Sequence, residues 1–107
     1  MLPTLEKAAA DTPRILDTMA VVHLRAGQFE LARKTLVRTL RQTEPGSPHW
    51  FRAQTHLAEI AWKQGQDQTA ISMLEQLLQG SRNIPDEDIL AANSLFNQIT
   101  SELIDLE

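Results

Sequence analysis

The sequence predicts an all-α fold: two helical hairpins stacked as a short α-solenoid, followed by a C-terminal capping helix. Three observations carry that expectation. Sliding the chain against itself by 38 positions pairs Arg14 with Arg52, Ala20 with Ala58, Gly27 with Gly65, Gln28 with Gln66, Ala32 with Ala70, Leu36 with Leu74 and Leu40 with Leu78, an internal duplication. Within each copy the apolar residues recur at intervals of three and four, which places them on one face of a helix. Glycine separates the two periodic runs of each copy, at Gly27 and at Gly65.

The elements follow in order. Leu2, Leu5, Ala8 and Ala9 have the spacing of a short closing helix of a preceding repeat, stopped by Asp11-Thr12-Pro13, so the chain reads as cut from something longer. A helix is expected over 13–26, with Leu16, Met19, Ala20 and His23 on its packing face, and a second over 29–43 with Ala32, Leu36 and Leu40. Between them Gly27 can take the left-handed conformation that ends a helix cheaply and lets the next fold back. Small Ala20 and Ala32, with Ala58 and Ala70 in the second copy, allow the paired backbones to approach. Glu44-Pro45-Gly46-Ser47-Pro48 supplies a turn, with Ser47 as cap and Pro48 as first helical residue of 48–64. Gly65 repeats the role of Gly27, a fourth helix covers 67–79, and Gly80 closes it. After Pro85, the acids Asp86, Glu87 and Asp88 favour the positive end of a helix over 86–106. Its apolar positions Ile89, Ala92, Phe96, Ile99, Leu103 and Leu106 form one stripe, which should cover the open edge of the second repeat or pair with a twin. Residues 1–107 are thus read as one domain, with repeat one at 13–43, repeat two at 48–80 and the cap at 86–106.

Composition narrows the function classes. The chain has no Cys, which removes disulfides and thiolate metal sites and suits a reducing compartment; cytoplasmic placement is expected, with the periplasm as the alternative. No stretch approaches the roughly 18 apolar residues of a membrane span. The net charge of -4 conceals a division, because residues 22–66 hold seven basic groups against three acids while residues 67–107 hold Arg82 alone against eight acids. No catalytic residue is proposed: the serines lie in capping or helical contexts outside any Gly-x-Ser-x-Gly turn, and the four glycines stand apart rather than in a phosphate-binding loop. His56 and Glu59 share a helical face, but no further ligands accompany them, so neither metal nor cofactor is expected. Arg33, Lys34, Arg38 and Arg41 could neutralise phosphates, yet the acidic total and the absence of a nucleic-acid motif favour a solvated face.

Leu16, Met19, Ala20, His23, Gly27, Phe29, Ala32 and Leu36 resemble the tetratricopeptide repeat, whose large, small and glycine positions fall at these intervals, and Leu57, Ala58, Ala61, Gly65, Ala70 and Leu74 sit at the matching places of the second copy. His23 stands where Tyr is usual, Gln54 where a large apolar residue is usual, and Asp67 where an aromatic is usual. The copies are 38 residues apart against the family's 34, which requires an extra turn or a longer loop around Thr43 to Trp50. Ile15-Leu16-Asp17-Thr18-Met19-Ala20 with Leu24-Arg25-Ala26-Gly27-Gln28 is further similar to tetratricopeptide proteins found beside bacterial exopolysaccharide and envelope systems, which implies a bacterial source.

The resemblance implies a non-enzymatic scaffold that holds a peptide or partner domain in the concave surface made by the first helix of each repeat. The partner-binding candidates are then Arg14, Asp17, Val21 and Arg25 with Arg52, Thr55, Glu59 and Lys63, flanked by Leu24 and Trp62. Basic residues recur at both matched places, so a positive groove with an apolar rim is expected, suited to an acidic segment. Chaperone-type members grip a terminal carboxylate with a Lys and Asn pair; Asp17 and Val21 stand in those places, and that activity is not expected. The alternatives are a structural segment of a larger protein, self-association through the C-terminal helix, and nucleic-acid binding through 33–41.

Overall fold

A computed structural model of the chain describes residues 12–80 and 83–106, and the side chains of all of these except 13 and 104–106. Among the described residues there are five helices: α1 (Pro13–Arg25), α2 (Phe29–Gln42), α3 (Pro48–Lys63), α4 (Asp67–Gln79) and α5 (Asp86–Leu106). Each ends within one residue of its expected bounds, and no strand occurs among the described residues. The expected helix around Leu2, Leu5, Ala8 and Ala9 lies outside the described residues, as does the side chain of Leu106.

The two first helices start alike. The Thr12 hydroxyl accepts from the Ile15 N–H at 3.4 Å and the Ser47 hydroxyl accepts from the Trp50 N–H at 3.3 Å, each followed by proline at the first helical position. Both first helices also end alike. At the end of α1 the Gln28 N–H donates to the His23 carbonyl at 2.8 Å and Gly27 N–H to Leu24 at 3.1 Å; at the end of α3 the Gln66 N–H donates to Ala61 at 2.8 Å and Gly65 N–H to Trp62 at 3.0 Å. This paired closure satisfies carbonyls that a helix end leaves open, and it needs a left-handed residue, supplied by Gly27 at φ +77 and Gly65 at φ +84. A Cβ at either glycine would meet nothing within 4 Å, so only the backbone conformation opposes substitution. Gly27→Ala and Gly65→Ala are each expected to lower stability by about 1–2 kcal/mol, read from chemical denaturation midpoints. Neutral or stabilising alanine variants at both sites would remove this account of the turns.

Gly80 behaves differently. At φ -94 it needs no glycine, and Asn83, at φ 58, takes the left-handed position between α4 and α5 instead. The residues that lengthen this repeat beyond the usual spacing enter α3, which has 16 residues against 13 in α1.

Each helix touches only near neighbours in the chain. α1 packs on α2 and α3, α3 also on α2, α4 and α5, and α4 on α5, while α1 and α5 do not meet. Helices α1, α3 and α5 therefore form an inner layer backed by α2 and α4. The core is divided accordingly. Ala20, Leu24, Ala32 and Leu36 of the first hairpin bury Ala53 and Ile60 of α3, whereas Phe51, Ala58 and Ala61 of the same helix join Ala70, Leu74 and Leu77 of α4 and Ala92 and Ile99 of α5. The C-terminal stripe is thus used inside the chain. Ala92 and Ile99 are fully enclosed, and Ile89, Phe96 and Leu103 are half-buried at the margins of the seam.

One packing feature has no apolar signature. On α2 the Thr35 hydroxyl donates to the Leu31 carbonyl at 2.9 Å, Thr39 to Thr35 at 3.1 Å and Thr43 to Thr39 at 2.9 Å. Thr39 is completely buried, and its own helix satisfies it.

Candidate functional site

The inner layer brings together a continuous strip of charged side chains. On α3, Arg52, His56, Glu59 and Lys63 step by four, three and four, which aligns them on one face. Asp17 approaches from α1 and Asp88 from the first turn of α5. The Arg52 guanidinium donates through Nε to Asp88 Oδ1 at 3.1 Å and through Nη2 to Asp88 Oδ2 at 3.3 Å, a two-pronged contact, and its Nη1 lies 3.7 Å from Asp17 Oδ2. His56 sits between two acids, with Nε2 3.8 Å from Asp17 Oδ1 and Nδ1 3.8 Å from Glu59 Oε1. Arg25 Nη1 reaches Glu59 Oε2 at 3.6 Å. At the end of the strip the Lys63 ammonium stands over the Trp62 ring, 5.0 Å from its centroid.

Asp88 is buried, and its hydrogen bonds to Arg52 hold that guanidinium above its ordinary value, with Asp17 and Glu87 adding to the effect against a cost of desolvation. Glu59 is held below the usual carboxylate range, first by His56 and then by Arg25 and Lys63, again against desolvation. At 3.8 Å the His56–Glu59 contact is longer than a formed hydrogen bond. Asp17 Oδ1 and His56 Nδ1 are enclosed without a hydrogen-bond partner.

A carboxylate depressed in the folded state adds stability above its unfolded value, and that stability disappears as pH falls through the lower folded value. Glu59→Gln should therefore destabilise by roughly 1 kcal/mol at neutral pH, and the gap to the wild type should close below about pH 4, in urea melts across pH 3–7. A gap that is constant across this range would assign the loss to packing.

The ten sequence candidates separate into three groups. Asp17, Arg25, Arg52, Glu59 and Lys63 belong to the strip, with Trp62 under the Lys63 ammonium, while on α1 Arg14 is exposed and Val21 half-buried. Leu24 and Thr55 do not reach its surface: Leu24 is buried in the first core cluster, and the buried Thr55 hydroxyl donates to the Phe51 carbonyl at 3.0 Å. The expectation of a positive groove is corrected by the same geometry, because Arg52 is neutralised by two carboxylates and Arg25 faces a third. The sequence reading missed His56 and Asp88 as members. His56 was visible only as a neighbour of Glu59, and Asp88 only as a helix-start acid, since nothing in the sequence shows that α5 continues the inner layer.

Other surfaces are less organised. A cleft of about 350 Å³ between the start of α3 and the end of α4 is lined by Trp50, Gln54, Met73, Leu77 and Ile84 among others, where the fully buried Leu16 fills the register place of Gln54 in the first hairpin. In the basic run of α2, Arg33 is turned to Glu30 at 3.1 Å and to Gln64 just past the end of α3, which breaks the row of cations. Among the described residues no group of three or more His, Asp or Glu side chains converges to hold a metal, and no described helix is long and apolar enough to cross a membrane. A family model described as tetratricopeptide repeat matches residues 11–83. No curated protein and no solved structure matches the chain.

Proposed function

The chain belongs to the tetratricopeptide repeat family, whose repeats generally mediate protein–protein interaction, and from that premise we propose that it binds a partner protein on the inner surface of α1, α3 and α5. The observation that carries this reading is the polar strip itself, which spans three helices and is bordered by the exposed cations Arg25 and Lys63.

Affinity for an acidic segment would come from the margins rather than the centre. Arg14, Arg25 and Lys63 are the exposed cations of the surface, and Lys63 with Trp62 forms a mixed cationic and aromatic corner that fits a carboxylate beside a large apolar side chain. Arg52 is engaged structurally and is a poor probe of binding. The test is fluorescence anisotropy with a labelled pool of Asp- and Glu-rich peptides, each bearing one Leu or Phe, against the wild type, Lys63→Glu, Arg25→Glu and the outer-layer control Arg41→Glu. Affinity should fall about tenfold in Lys63→Glu and Arg25→Glu and weaken with salt, while the control is unchanged. Equal effects in all three variants, or binding that survives them, would move the functional surface off the inner layer.

A further inference from the structure

The centre of the strip holds more acids than cations, and the side chain between them is a histidine. Asp17, Glu59 and Asp88 face only two guanidiniums, those of Arg25 and Arg52. One further charge of each sign stands at the ends, Glu87 of α5 acting on Arg52 and Lys63 of α3 acting on Glu59. The backing helices α2 and α4 add no ion pair to this chain of charges among the described residues.

The two acids beside His56 each divide their oxygens between an arginine and the ring. Asp17 Oδ2 lies 3.7 Å from Arg52 Nη1, and Asp17 Oδ1 lies 3.8 Å from His56 Nε2. Glu59 Oε2 lies 3.6 Å from Arg25 Nη1, and Glu59 Oε1 lies 3.8 Å from His56 Nδ1. The side chains of His56, Asp17 and Glu59 are 18%, 17% and 15% exposed, so water does little to satisfy or screen them. A neutral imidazole has one N–H: it donates to one carboxylate and turns a lone pair to the other, acceptor against acceptor. An imidazolium donates from both nitrogens, gives each carboxylate a donor and cancels the excess negative charge. It also supplies a partner to Asp17 Oδ1 and to His56 Nδ1, the two strip atoms that are enclosed without one. Each contact has to shorten by about 1 Å to reach hydrogen-bond length, a distance that side-chain rotation covers.

We propose that His56 is a proton-operated clasp between the two hairpins: neutral, it holds one of its two carboxylates, and protonated, it holds Asp17 and Glu59 together and fastens α1 to α3 across the inner surface. Asp17 belongs to the first hairpin and His56 and Glu59 to the second, so the ring bridges the seam whose apolar side is filled by Leu24 and Ile60. Imidazole is the side chain that changes charge near neutrality, which makes the seam responsive to small changes of pH. The device does not depend on which partner the inner surface takes.

Two double-mutant cycles test the clasp, His56→Gln with Asp17→Asn and His56→Gln with Glu59→Gln, each read as unfolding constants in urea at about pH 5.5 and about pH 8, on either side of imidazole titration and above that of ordinary carboxylates. At the acid value both cycles should show a coupling of about fivefold in the unfolding constant, and at the alkaline value at most one of them should keep it. Titration of His23 and His49 cancels within each cycle. Couplings that are the same at both pH values, or a coupling in only one cycle at the acid value, overturn the proposal. The wild type alone gives a second reading through carbon-13 NMR of its carboxyl groups. The side-chain carboxyl carbons of Asp17 and Glu59 should both shift at the midpoint of the His56 ring titration. A step at that midpoint in only one of them, or in neither, overturns the clasp even where a variant fails to fold.

Discussion

Ile99→Ala is expected to destabilise the protein by about 3 kcal/mol, enough to lower the melting temperature by more than about 10 °C in a domain of this size. Ile99 is fully enclosed between α5 and the α3–α4 hairpin, in a cluster with Phe51, Ala58, Leu74 and Leu77. Truncation removes transfer free energy and leaves a cavity that the small neighbours Ala58, Ala61 and Ala92 cannot fill. Phe96, half-buried at the edge of the same seam, should cost clearly less when replaced by alanine despite its larger side chain. The order of the two variants in a calorimetric melt is the sharp observation. An Ile99→Ala protein that melts like the wild type would mean that α5 is not part of the folded core.

Arg52→Met should cost about 2 kcal/mol, the second largest effect. The methionine keeps the apolar stem but leaves Asp88, which is buried, and Asp17, which is largely enclosed, each without the guanidinium that pairs with it. Breaking a buried pair from one side costs about 3–5 kcal/mol, and the partial exposure of Arg52 reduces that figure. The partner variant Asp88→Asn removes the stranded charge, so the double variant should be less destabilised than the sum of the singles. Guanidinium chloride would screen the pair, so urea titrations of all four proteins are the measurement. Additive losses would show that the α3–α5 ion pair contributes nothing beyond the individual side chains.

The helices and their junctions were legible because each rests on local chemistry. Gly27 and Gly65, Ser47 with Pro48, and the three- and four-residue apolar spacing act within a few residues of themselves, so a periodic sequence displays them directly. The placement of α5 was legible as a cap and not as a third member of the inner layer. That distinction depends on which edge of the hairpin its stripe meets, a long-range choice between two apolar faces. The basic half of the strip was legible in the sequence and the acidic half was not. Arg52 and Arg25 recur at matched positions, but the acids that answer them, Asp88 and Glu59, lie on another helix or in a register where the first copy has Val21. Leu24 and Thr55 were misplaced because helical periodicity fixes a face only to within about one residue, and at a boundary that margin separates interior from surface.

The neighbour-only contacts of the five helices, in which α1 and α5 never meet, also govern how the chain assembles. With no pairing between distant ends to wait for, loop-closure entropy is small at every step, and folding should be fast for the chain's length. Cooperativity must pass through α3, the one helix that belongs to both core clusters. Amide protons at the centre of α3 should then exchange only by global unfolding, whereas those of the outer ends of α1 and α5 escape through partial opening at lower free energy.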